Sequence, residues 1–368
     1  MTLRVGIISA NWGAVAHLPA WRAVPGVEVV GICTSRQETA EAAAARFQIP
    51  RAYWDVQAMI AEPDIDIIDC GARPSIRQPM VIDALRAGKH VYNAIPFAAD
   101  FEHARAIHAA WQASGRIGVV DAFSQVVPAL ALAKEMVDEG YLGEPFGGMA
   151  IFNLSLFNRP STQFPYNWFA DGSAGVSAMR NLGSHMLHAL VHLFGDVAEV
   201  IADDRQLLSE WHYPDGNRVH PETNDFANLI LRFVNGMTIP VQLSWSATVA
   251  RGWHLEAFGS KGRIVMADPS FPTSINAMLS AGPVGSRTVE SVAIPDRLMR
   301  PVGIGVGPDV NPQAIHAMAI SMNRMAQAVR GEGSAAPDFA QGWQVERVLE
   351  AARRSSQERR WVPISEVS

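Results

Sequence analysis

Residues 3–36 read LRVGIISANWGAVAHLPAWRAVPGVEVVGICTSR. The run LRVGII (3–8) is short and apolar and ends in a turn. VAHLPAWRA (15–23) carries a helical pattern that Pro25-Gly26 stops. VEVVGIC (27–33) is a second apolar run, β-branched and bounded by turn residues. A strand, a helix and another strand within about 30 residues form a βαβ unit.

The alternation continues outward. QETAEAAAARF (37–47) is helical by its Ala and Glu content, and IDIIDC (65–70) is an apolar strand run. A helix at 78–87, a strand at 90–92, a helix at 100–114 and a strand at 117–120 follow. Strands alternating with helices imply right-handed crossovers on a parallel sheet, a Rossmann-type α/β domain over residues 1–124. From 125 to 368 the pattern changes. Strand-like runs crowd together at 146–157, 196–208, 226–234, 237–250, 253–258 and 262–266, with helices at 128–139, 181–194, 312–330 and 341–358. Asn235-Gly236 predicts a two-residue hairpin. Residues 268–311, rich in Pro, Gly and Ser, read as a surface excursion. This half is expected to be an α/β domain on an open, mostly antiparallel sheet, its last helix able to pack back on the first domain.

The chain has 368 residues, enough for two domains. With 48% hydrophobic and 18% charged residues, disorder as the dominant state is excluded. Lys and Arg total 30 against 36 Asp and Glu, a net charge of −6 without the basic excess of a nucleic-acid binder. Cys33 and Cys70 lie in apolar runs, as thiols of a reducing compartment do. No apolar stretch is long enough to span a membrane, and no signal-peptide pattern opens the sequence. The expectation is a cytoplasmic protein with a small-molecule substrate and neither nucleic-acid nor membrane partner.

The turn after the first strand is where a dinucleotide pyrophosphate would sit against a helix N-terminus. The glycine fingerprint falls on Ser9, Asn11 and Ala14, with Trp12 between them. Ala suits the third position; Ser and Asn depart from glycine, although Asn tolerates the left-handed backbone. The second strand ends in Thr34-Ser35-Arg36 where an acid would bind the ribose of NAD. Hydroxyls and an arginine favour the 2′-phosphate of NADP; the other reading is an arginine that merely starts a helix. His185, His188 and His192 share one face of a helix by i, i+3, i+7 spacing, which suits a substrate-binding or structural face better than a metal.

The segments AHLPAWRAVPGVEVVGICTSR (16–36), ALRAGKHVYNAIP (84–96), EMVDEGYLGEP (135–145), NLGSHMLHALVHLFGD (181–196), EAFGSKGRIVM (256–266) and PDFAQGWQVERVLEAARRSSQERRWVPI (337–364) resemble, in order, the glucose–fructose oxidoreductase and inositol dehydrogenase (Gfo/Idh/MocA) family. The resemblance implies a Rossmann domain, a C-terminal α/β domain that packs in homodimers or homotetramers, and hydride transfer between NAD or NADP and a sugar, polyol or related carbonyl compound. It also implies cofactor contacts at Ala72, Pro74, Arg77, Asn93 and Ala94, and a substrate side formed by Ile95, Tyr166, Trp168 and His185.

Two departures bear on mechanism. The family's Glu-Lys-Pro reads Ala94-Ile95-Pro96, and isoleucine exchanges no proton. The family's Asp-x-Gly-x-His-x-x-Asp reads Asn181-Leu182-Gly183-Ser184-His185-Met186-Leu187-His188. His185 becomes the leading general acid/base, Asn181 a substrate-orienting amide and His188 a further catalytic candidate. An NAD(P)-dependent oxidoreductase is the first reading. A redox-neutral lyase, hydratase or isomerase, or a ligand sensor like the galactose-regulon repressor, stands as the alternative.

Overall fold

A computed structural model of the chain describes residues 1–158 and 166–368, without the side chains of Tyr166 and Asn167. Strands β1 (Leu3–Ile8), β2 (Val27–Cys33), β3 (Arg51–Tyr53), β4 (Ile67–Cys70), β5 (His90–Asn93) and β6 (Gly118–Val120) form one sheet in the order β3-β2-β1-β4-β5-β6. Every pairing is parallel. The order reverses beside β1, and in such sheets ligands bind outside the carboxyl ends of the strands at that reversal. The helices are α1 (Leu18–Arg22), α2 (Gln37–Phe47), α3 (Val56–Ile60), α4 (Pro74–Arg86) and α5 (Phe101–Ser114). Strand β3 and helix α3 are too short to show periodicity in the sequence.

The helix expected at 15–23 begins earlier and is wound differently. Gly13–His17 is a π-turn, with the Leu18 N–H bonded to the Gly13 carbonyl, and α1 follows it directly. Pro19 lacks the N–H that would continue the regular ladder, and the turn before it is one residue wider.

The second sheet has nine strands. Helix α6 (Pro128–Asp138), strand β7 (Pro145–Asn153), helix α7 (Ala178–Phe194) and strand β8 (Val197–Arg205) are followed by a small hairpin, β9 (Trp211–His212) and β10 (Arg218–Val219). Then come β11 (Phe226–Phe233), β12 (Thr238–Ser244), β13 (Gly252–Gly259), β14 (Gly262–Asp268), β15 (Met278–Pro283), β16 (Glu290–Ser291) and, near the C-terminus, β17 (Val362–Pro363). The order is β16-β15-β14-β13-β7-β12-β11-β8-β17, antiparallel except for β7 with β12. The hairpin at Asn235-Gly236 is not the expected two-residue turn. The Phe233 N–H bonds to the Met237 carbonyl and the Gly236 N–H to the Phe233 carbonyl, with Gly236 at φ +88°: a three-residue loop with a glycine bulge. Strand β15 lies inside the stretch read as a surface excursion; its small residues hide the alternation.

The chain divides into two units, residues 1–126 with 296–343, and 127–295 with 344–368. Residues 296–343, expected with the second part, therefore complete the first. They contain α8 (Asp296–Met299) and α9 (Ala314–Val329), and α10 (Phe339–Glu358) begins at their end. Three contacts explain the grouping. Arg330 donates to the Pro25 and Gly26 carbonyls. The Val120 N–H bonds to the Pro337 carbonyl at 2.8 Å. The Phe339 ring covers Gly118, where a Cβ would come within 2.7 Å of it.

Candidate functional site

The turn 9–14 joins β1 to the first helical run at the carboxyl edge of the parallel sheet. Ser9 is half-buried, Asn11 and Trp12 are exposed, and Ala14 is buried. The Ala14 and Val15 N–H groups both bond to the Asn11 carbonyl, so the N–H groups just before them open the helix. The unusual backbone sits at Ser9, with φ +143°, and not at Asn11. Ser9 Oγ accepts from the Asn11 N–H at 3.3 Å. At the end of β2, Thr34 Oγ1 is taken up by Thr39 Oγ1 (2.6 Å) and the Arg36 carbonyl (3.0 Å). Ser35 and Arg36 are exposed, with no carboxylate in the segment. An N–H-bearing turn, a glycine (Gly13) packed under it and this hydroxyl–arginine edge fit a dinucleotide.

Two more loops leave the same edge. After β4, Ala72 is half-buried and Pro74 starts α4. After β5, Ala94 and Ile95 are half-buried. Arg77 and Asn93, expected as cofactor contacts, turn inward. Arg77 is 2% exposed and donates to the Ala72 carbonyl (3.0 Å) and to the Pro96 carbonyl, tying one loop to the other. Asn93 is fully buried and its Nδ2 donates to the Phe97 carbonyl. Both shape the loops from beneath.

Below these loops lies a cluster that sequence reasoning missed. His17, fully buried, places Nδ1 at 2.9 and 3.0 Å from the Asp69 carboxylate oxygens and Nε2 at 3.1 Å from Asp121 Oδ2. Trp21 Nε1 donates to Asp69 (2.7 Å) and the Tyr92 hydroxyl to Asp121 (2.6 Å). Burial opposes a charged imidazole. Attraction to Asp69 and Asp121, with their hydrogen bonds, outweighs it and holds the pKa up to about 10. His17 is an imidazolium across neutral pH. It follows the phosphate turn, while Asp69 and Tyr92 immediately precede the loops that carry Ala72 and Ile95. The available signal was a charge, Asp69, inside the buried strand IIDC (67–70).

The other candidates belong to the second unit. Ser177 caps α7 by accepting from the Arg180 N–H (3.1 Å). Along that helix Asn181, His185 and His192 are half-buried and His188 is 1% exposed. The His185 ring stands edge-on to Phe271, centroids 4.6 Å apart. Burial, with a smaller contribution from His185, pushes the His188 pKa down to about 3. His188 is therefore neutral near pH 7 and sits in a packing position. Arg180 reaches Glu346 of α10 with Nη2 at 2.8 and 3.0 Å from its two oxygens, which fixes the start of α7. Residues 163–165 and the Tyr166 side chain lie outside the described residues. Trp168 is half-buried and meets Phe169 edge-on, while Phe169 packs with Phe157 and Trp245. Among the described residues, no group of three or more His, Cys, Asp or Glu is placed to hold a metal ion. None of the described helices is long and apolar enough to cross a membrane.

A doubly wound sheet with a phosphate turn, followed by a domain with an open sheet and a histidine-bearing helix, defines a dinucleotide-dependent oxidoreductase by class. Residues 3–122 match the profile described as oxidoreductase family, NAD-binding Rossmann fold, and residues 130–265 match the GFO/IDH/MocA C-terminal domain. The chain belongs to the Gfo/Idh/MocA oxidoreductase family. It is similar to levoglucosan dehydrogenase of Pseudarthrobacter phenanthrenivorans, 25% identical over 100% of this chain and 99% of that one. It is also similar to D-apiose dehydrogenase of Paraburkholderia graminis, 30% identical over 67% of this chain and 61% of that one. The solved structure of levoglucosan dehydrogenase in complex with NADH superimposes with a TM-score of 0.88 at 23% identity, covering 99% of both chains.

Proposed function

We propose that the chain is an NAD(P)-dependent dehydrogenase acting on a hydroxyl of a small sugar or polyol, as a cytoplasmic homo-oligomer. The observation that carries the reading is the common carboxyl edge from which the turn 9–14, the Thr34-Ser35-Arg36 segment and the loops after β4 and β5 all leave. Its relatives among sugar dehydrogenases support the substrate class. When bound, the nicotinamide supplies the hydride acceptor. The protein's own work is positioning and proton exchange. Ile95 offers shape and no proton, so His185 takes the hydroxyl proton, with its ring held against Phe271. Asn181, one turn earlier on α7, orients the substrate by hydrogen bonding. The exposed Ser35 and Arg36 suit a 2′-phosphate, which favours NADP(H).

The open sheet supports self-association. The pairing registers place Ile201, Ile230, Pro240, Ile151, Phe258, Val265 and Met278 on one face. Of these, Ile230 is 40%, Phe258 42% and Met278 63% exposed. These side chains alternate on that face with Arg232, Gln242, Glu256 and Arg263, a mixed surface of the kind that packs against a second copy of the chain.

Calorimetric titration with NAD⁺, NADH, NADP⁺ and NADPH tests the reading first. Micromolar binding of one pair is expected, and no binding up to millimolar concentration overturns it. His185→Gln is expected to lower kcat about 100-fold or more while nucleotide binding persists. A redox-neutral enzyme on this scaffold is the second reading, favoured by Ile95 standing where the family's lysine would. Substrate turnover without change in nicotinamide absorbance would establish it.

A further inference from the structure

Three facts converge on Ser9. Its φ of +143° lies in the region that glycine occupies with least strain, yet it carries a side chain. That side chain lies close against two glycines: a Cβ built on Gly13 or on Gly71 would come within 3.3 Å of the Ser9 Cβ. Its Oγ accepts from the Asn11 N–H at 3.3 Å. Asn11 stands at the middle glycine position of the fingerprint, where backbone N–H groups approach the pyrophosphate. The turn thus hydrogen-bonds internally a donor that a nucleotide phosphate would use.

We propose that Ser9 is a built-in occupant of the phosphate seat, its hydroxyl holding the Asn11 N–H until a dinucleotide phosphate displaces it. This rests on the nicotinamide reading above and sets how tightly the cofactor binds. A nucleotide entering the turn exchanges one hydrogen bond for another at this donor and gains less than it would from an unoccupied one. Weakened cofactor retention follows, which suits an enzyme that releases its nucleotide between turnovers.

The test compares wild type, Ser9→Ala and Ser9→Gly in fluorescence and calorimetric titration with NADH and NADPH. Ser9→Ala removes only the hydroxyl; Ser9→Gly also removes the backbone constraint and is certain to be accommodated at this φ. Both variants are expected to bind the preferred nucleotide about 5-fold or more tighter than wild type. Binding by the variants alone, with none by wild type, gives the same support more strongly. Wild-type binding that Ser9→Ala leaves unchanged or weakens overturns the occupant role while the nicotinamide reading stands. The occupant role then fails even if Ser9→Gly binds tighter, because that gain comes from the backbone. Failure of all three proteins to bind overturns both.

Discussion

Two buried histidines, one in each unit, have been driven to opposite states. His17 is enclosed by Asp69 and Asp121 and holds its proton up to about pH 10. His188 is buried on α7 with the His185 ring as its charged neighbour, and loses its proton at about pH 3. Both are essentially inaccessible to solvent. Burial alone neutralises an imidazole; burial between two carboxylates makes it a permanent cation. Neither is suited to exchange protons near neutrality. The difference teaches that accessibility and partners, not residue type, fix the charge of a histidine, and it is the ground on which the half-buried His185 is proposed for proton exchange.

Asp69→Asn should break the comparison most severely. It removes the principal counter-charge of His17 and one acceptor of Trp21, and is expected to cost about 3–5 kcal/mol in urea unfolding. The pH dependence follows the sign of the shift. The folded pKa of His17 lies above its unfolded value of 6.5, so its stabilisation is complete below about pH 6.5 and is lost as pH rises towards 10. Wild-type stability should fall across that range and that of Asp69→Asn should fall less; parallel slopes would show that His17 is not the titrating group. His188→Leu sharpens the contrast. Replacing a neutral buried ring should cost less than about 2 kcal/mol, and a loss as large as that of Asp69→Asn would mean that His188 is charged.

The smallest effect concerns Asp204, raised to about 6 by burial first and by Asp203 and Asp225 after it, against the hydrogen bond from Asn224. Its other oxygen, Oδ1, has no partner among the described residues. Its folded pKa exceeds the unfolded 3.8, so the stability it contributes at low pH is lost as pH rises through 6. Asp204→Asn should therefore gain about 1 kcal/mol at pH 7.5, and the gain should vanish near pH 4.

The parallel sheet was readable because central strands such as LRVGII and VEVVGIC are apolar runs broken only by Arg4 and Glu28 near their starts and separated by helices. The mostly antiparallel character of the second sheet was readable from crowded strand runs and a glycine turn. Strand β15 was not, because MLSAGP mixes small and turn residues. On α7 the i, i+3, i+7 pattern placed the histidines on one helix, but only the packing around them separated His185 from His188. The cluster around His17 joins residues 52 and 104 positions apart and has no local pattern at all. Arg77 and Asn93 were recognisable as loop residues, but whether they face a ligand or their own backbone depends on the carbonyls of Pro96 and Phe97, set by the path of the chain.

The edge of the first sheet has a consequence for how the protein comes off the ribosome. Strand β6 is one of the two edge strands, and its free side is closed by Pro337, Asp338 and Phe339. A nascent chain that has emerged only as far as Val126 therefore carries a Rossmann sheet whose β6 edge is raw, able to recruit a neighbour's strand. More than 200 residues must follow before the segment that seals it is synthesised. In birth order the first unit is begun first yet waits for residues 296–343 to be finished, and a truncation before residue 337 should expose that edge to aggregation.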